Sequence, residues 1–93
     1  MATDIVADAG KITQSNYTTT TMAATKALPA KTTSVFIRNV DTTDNVLVSF
    51  DGTNFFTLKP GDAISLDLRF EASYLVKSSA NTPAVQAIYA SEA

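Results

Sequence analysis

Asn45-Val46-Leu47-Val48-Ser49-Phe50-Asp51-Gly52-Thr53-Asn54, followed after Phe55-Phe56-Thr57 by Leu58-Lys59-Pro60-Gly61-Asp62-Ala63-Ile64-Ser65-Leu66-Asp67-Leu68, is the stretch that decides the fold. Val46, Val48 and Phe50, then Ile64, Leu66 and Leu68, recur at every second position, which puts a row of apolar side chains on one face of each extended segment. Asp51-Gly52 is a favoured pair for a hairpin turn that needs positive φ. Lys59-Pro60-Gly61-Asp62 has proline second and glycine third, the pattern of a type II turn. Three extended segments joined by two tight turns follow, in a sheet with one buried face.

Upstream, Thr33-Ser34-Val35-Phe36-Ile37-Arg38-Asn39-Val40 reads as a strand with Val35 and Ile37 on one face and Phe36 and Arg38 on the other. Bulk on both faces suits a strand packed on the core by one side and against a neighbouring domain or subunit by the other. The polar loop Asp41-Thr42-Thr43-Asp44-Asn45 after it carries Asx residues that bond their own backbone. Downstream, Ser73-Tyr74-Leu75-Val76-Lys77-Ser78 and Ala84-Val85-Gln86-Ala87-Ile88-Tyr89-Ala90 are two more strands, separated by Ser79-Ala80-Asn81-Thr82-Pro83. The threonine-rich run from Tyr17 to Ala27 predicts an edge strand, ended by Leu28-Pro29-Ala30.

Turn signals about every 8 to 12 residues between short alternating segments mark an all-β sandwich or barrel. The expectation is a small antiparallel β-sandwich or barrel, jelly-roll-like, of six to eight strands. It spans residues 17–93. Residues 1–16 are too poor in apolar positions to pack as an element and read as an extended N-terminal arm, either frayed or ordered on another subunit through Ile5, Val6, Ile12 and Tyr17.

The chain has 93 residues and a net charge of -2, and its seven basic residues are scattered, which gives no electrostatic footprint for nucleic acid or an anionic membrane. It holds no cysteine and no histidine. Disulfides, thiolate metal sites, imidazole bases and the usual zinc ligands are therefore excluded. No segment approaches the roughly 20 apolar residues of a membrane span, and the acidic, mixed start Ala2-Thr3-Asp4-Ile5-Val6-Ala7-Asp8 is unlike a signal peptide. The expectation is a protein made and kept in a cytoplasm, neither secreted nor in a membrane.

Carboxylates are the remaining acid-base candidates, but Asp41, Asp44, Asp51, Asp62, Asp67 and Glu71 show no spacing that demands a facing pair. Asp41, Asp44 and Asn45 do not match a calcium loop with ligands at alternate positions. No catalytic residue, cofactor, metal or small-molecule substrate is expected. Phe55 and Phe56 are adjacent and must point to opposite faces, so one of them leaves the core side as a subunit contact or a sugar-stacking platform. Without the arm, about 75 residues remain to bury a core, a size at which association commonly adds stability. The interface candidates are Ile5, Val6, Ile12, Tyr17, Phe36, Phe55 and Phe56, in a homo-oligomer or on a larger assembly.

The order of motifs resembles that of small β-rich virion proteins of tailed bacteriophages, of the head-decoration or head and neck accessory type. It lies in Ala24-Thr25-Lys26-Ala27-Leu28-Pro29-Ala30, Val35-Phe36-Ile37-Arg38-Asn39-Val40, Val46-Leu47-Val48-Ser49-Phe50-Asp51-Gly52, Leu58-Lys59-Pro60-Gly61-Asp62-Ala63 and Ile64-Ser65-Leu66-Asp67-Leu68. In that class a strand ending in Leu-Pro-Ala precedes an Ile-x-Asn strand and a Leu-x-Pro-Gly-Glu or Leu-x-Pro-Gly-Asp turn. The resemblance implies a non-enzymatic capsid decoration or cement subunit. Such a subunit would be located in the virion, assemble with itself, often as a trimer, and contact the major capsid protein or another virion protein. A tail or fibre module that contacts host-surface glycans is the alternative it implies.

Overall fold

The structure is a computed structural model that describes residues 10–67 and 72–92. Its strands are β1 (Gly10–Thr18), β2 (Ala24–Ala27), β3 (Thr32–Asn39), β4 (Val46–Ser49), β5 (Phe56–Leu58), β6 (Ala63–Asp67), β7 (Ser73–Ser78) and β8 (Ala84–Glu92), with no helix among the described residues. They form two four-stranded antiparallel sheets, ordered β1-β8-β3-β6 and β2-β7-β4-β5. Every connection except β4 to β5 crosses from one sheet to the other. This is the strand order of a jelly roll.

Alternation positions the core. Val35 and Ile37 of β3, Val85, Ala87 and Tyr89 of β8, Val46 and Val48 of β4, and Tyr74 and Val76 of β7 are all buried between the sheets. The intervening residues Phe36, Arg38, Gln86 and Ile88 of β3 and β8 face out. Pairing the two-residue period with one wet face gives each strand only one register that hides its apolar row.

Both expected turns are present. The β4–β5 hairpin pairs Val46 with Leu58 and Val48 with Phe56, and Gly52 in its loop has φ of 82°. Gly61 has φ of 88°, and the Asp62 amide donates to the Lys59 carbonyl at 2.8 Å. That second turn carries the chain from β5 in one sheet to β6 in the other. The rows Val46, Val48 and Ile64, Leu66 therefore face each other across the sandwich instead of lying side by side. Leu68 lies outside the described residues.

Asn39, fully buried at the end of β3, fastens the two sheets. Its Nδ2 donates to the carbonyls of Asp44 at 2.8 Å and Leu58 at 2.9 Å, and its Oδ1 accepts from the Asp41 amide at 2.9 Å. Its backbone joins the Pro-Gly turn, donating to the Asp62 carbonyl and accepting from the Gly61 amide, each at 2.9 Å. The Ile37-Arg38-Asn39 and Leu58-Lys59-Pro60-Gly61-Asp62 motifs are thus two halves of one hydrogen-bonded junction.

Three expectations change. Residues 10–16, read as part of the arm, belong to β1, which pairs with β8 along its whole length from Gly10 opposite Glu92 to Thr18 opposite Ala84. The low apolar content of β1 was misleading because an edge strand covers the core with only one side, here Thr13, Ser15 and Tyr17. Residues 1–9, including Ile5 and Val6, lie outside the described residues. The threonine run is split: β1 ends at Thr18, β2 begins at Ala24, and the chain between them passes from one sheet to the other. There the Thr19 amide donates to the Pro83 carbonyl, and the Thr20 carbonyl accepts from Ser78. The last strand runs two residues beyond Ala90, to Glu92.

Removing the Asn39 side chain strands two carbonyls and one amide, so Asn39→Ala is expected to lower stability by about 2 to 4 kcal/mol in urea unfolding. Lys31 holds φ of 60° ahead of β3. Relief of that left-handed strain makes Lys31→Gly an opposite case, expected to raise stability by about 1 kcal/mol.

Candidate functional site

The register aligns the outward side chains of the first sheet into rows that cross all four strands. Ile12, Ala90, Ser34 and Asp67 form one row; Gln14, Ile88, Phe36 and Ser65 the next; Asn16, Gln86, Arg38 and Ala63 the third. Ile12 is 59% exposed, and Phe36, Ile88 and Ala90 are half-buried. The middle of the face is therefore uncharged and largely apolar. Arg38 and Asp67 are exposed on opposite sides of that middle row. Beyond the third row, a groove of about 370 Å³ opens between Asn16, Thr18, Val40 and Gln86, among others.

Of the sequence-derived candidates among the described residues, the fold unites Ile12 and Phe36 on this face and places Tyr17, Phe55 and Phe56 elsewhere. Tyr17 points inward, its hydroxyl 2.7 Å from that of Tyr74 and its ring capped by Lys26 at 4.1 Å. Phe55 and Phe56 do take opposite sides. Phe55 lies under the Lys77 ammonium at 4.4 Å, whereas Phe56 remains 55% exposed on the edge strand β5. Ile88 was missed. It stands out of phase with buried Val85, Ala87 and Tyr89, the same two-faced pattern that singled out Phe36.

The carboxylates of Asp41 and Asp51 are occupied within their own loops. Asp51 accepts from the Asn54 amide at 2.7 Å, the Thr53 amide at 2.8 Å, the Asn54 side chain at 2.8 Å and the Ser49 hydroxyl at 3.1 Å, and these bonds hold it far below the usual carboxylate range. Asp41 is lowered in the same way, first by the Asp44 amide and then by Thr43. Among the described residues no cluster of three or more acidic, histidine or cysteine side chains is placed to hold a metal ion, and no helix is long and apolar enough to cross a membrane.

No family model and no curated protein matches the chain. Among solved structures it is similar to one described as "Bacillus endospore appendages form a novel family of disulfide-linked pili", with a TM-score of 0.59 and 15% identity over 99% of this chain and 96% of that one. The likeness is one of fold. It corrects the function drawn from the motif resemblance, because the solved structure it matches is described in terms of bacterial pili and not of a phage head. Two of those motifs, Ile37-Arg38-Asn39 and Leu58-Lys59-Pro60-Gly61-Asp62, form a structural junction within this fold. The capsid partner, the trimer and the virion location rest on that same resemblance.

The chain's three tyrosines meet inside the sandwich. Tyr74 shares hydrogen bonds of 2.7 Å with both Tyr17 and Tyr89, and its ring lies 5.7 Å from Phe50 and 6.2 Å from Tyr89. Burial raises the pKa of all three above the ordinary 10.0, and in Tyr74 the charge a neighbouring phenolate would carry raises it further. Above pH 10 the unfolded chain therefore binds fewer protons than the folded one, so stability is full below about pH 10 and falls as pH rises. Each phenol protected in this way contributes a slope of about 1.4 kcal/mol per pH unit. In an alkaline titration, phenolate absorbance is expected to appear only together with loss of the β-sheet circular dichroism signal. A reversible phenolate step near pH 10 with the sheet signal intact would contradict the cluster.

Proposed function

We propose that the chain is a non-catalytic structural subunit that assembles with copies of itself. The observation that carries this reading is β1. It is nine residues long, lies at the edge of its sheet, contains no proline, and carries Lys11 as its single charge. The other three edges, β2, β5 and β6, are three to five residues long. Protein edges are normally kept short, charged or bulged, because a row of unpaired N–H and C=O groups is a template for another chain. A long edge guarded by a single lysine suits strand addition.

Two further points support the reading. Asp41, Asp51 and Asp62 are spent on their own turns, and the fold likeness is to a protein described in terms of pili. The 93 residues contain no cysteine. Association of this chain is therefore non-covalent with respect to disulfides, unlike the linkage named for that relative in fold.

Sedimentation of the purified protein is expected to show species at multiples of 9.9 kDa that grow with concentration. Hydrogen exchange is expected to show protection of β1 amides that rises in parallel. A single 9.9 kDa species at every concentration would end the proposal.

A further inference from the structure

We propose that the outer face of the first sheet is an isologous interface for a second copy of this chain. The inference rests on the self-assembly reading and names the surface that reading leaves open. An edge strand explains how sheets could be extended. It does not explain a face on which Ile12 is 59% exposed and Phe36, Ile88 and Ala90 form an uncharged centre.

The register selects the partner. Two sheets packed face to face keep their strands roughly aligned at about 10 Å separation. A two-fold axis in the plane of the face, perpendicular to the strands and passing through the middle row, keeps each strand over its own copy and exchanges the first and third rows. Phe36 then meets Phe36 of the second copy, and Ile88 meets Ile88. Arg38 of the third row lies across from Ser34, directly beside Asp67 of the first row, and by symmetry this happens twice. Ile12 falls over Asn16, at the rim of the 370 Å³ groove that Thr18, Val40 and Gln86 help to line. Glu92, one row further out, falls opposite Ala84.

The other in-plane axis, parallel to the strands, keeps rows and exchanges strands. It sets Ile12 against Asp67 and Arg38 against Gln86, which buries an apolar side chain against a charge and leaves Arg38 without a carboxylate. Within one chain Arg38 and Asp67 stand four residues apart along the strand direction, about 13 Å. Neither engages another described side chain. A second copy on the perpendicular axis thus satisfies three features together: the apolar centre, the projecting Ile12 with a groove to receive it, and the two separated charges.

Charge reversal tests this. Arg38→Glu and Asp67→Arg each place like charges across the proposed interface, and each is expected to weaken association of the full chain in sedimentation by about tenfold or more. The double variant Arg38→Glu, Asp67→Arg is expected to recover it. Both positions are exposed, so thermal unfolding of a single variant at a concentration where the protein is monomeric is expected to match the wild type. If the wild type associates but neither reversal weakens it, or the double variant fails to recover, the face proposal is overturned while self-assembly stands. If the wild type remains monomeric throughout, both are overturned.

Discussion

A single buried amide organises the crossover geometry of this protein. Asn39 ends a strand of one sheet, yet its side chain bonds the Leu58 carbonyl in the other and the loop that leads to β4. In a sandwich whose strands almost all cross between sheets, each crossover leaves backbone groups that no ladder can satisfy. One asparagine, with two donors and an acceptor, satisfies three of them where β3 meets the Pro-Gly turn. An apolar residue there would fill the volume and leave those groups orphaned, a cost that a small domain without disulfides cannot easily absorb.

The tyrosine cluster serves the opposite end of the same requirement. Phenol rings supply bulk to a core otherwise built largely from valine, and their hydroxyls must find partners once buried. They find one another. Tyr17 from the edge strand is tied to Tyr74 of the other sheet and through it to Tyr89, so a strand that contributes little apolar area is held in place by a directional bond. This is how a run as polar as Gly10-Lys11-Ile12-Thr13-Gln14-Ser15-Asn16 becomes a regular strand.

With its interior requirements met by these two devices, the outer surface is available for other work. The two-faced pattern of β3 is repeated in β8, and β1 brings Ile12 onto the same side, so adjacent strands present one continuous face with charges only at its margins. A jelly roll also leaves four sheet edges, and here one of them is much longer than the rest. Edge and face are independent surfaces at right angles. A subunit that used both could extend in two directions.

Much of the fold was legible in the sequence. The periodicity of Val35, Ile37, Val46, Val48, Val85 and Ala87, the positive φ of Gly52 and Gly61, and the Asx bonds of Asp41 and Asp51 depend on residues within a few positions of each other. Local dihedral preferences and side-chain reach therefore determine them. Strand order, the recruitment of residues 10–16 into β1, the Tyr17, Tyr74 and Tyr89 contacts and the alignment of Ile12 with Ile88 and Phe36 were settled only by the tertiary structure. Tyr17 and Tyr74 are 57 residues apart, and Tyr74 and Tyr89 are 15 apart. Such pairings follow from which strands can share one buried face without leaving a polar group unmet, a condition that exists only once the chain has closed on itself.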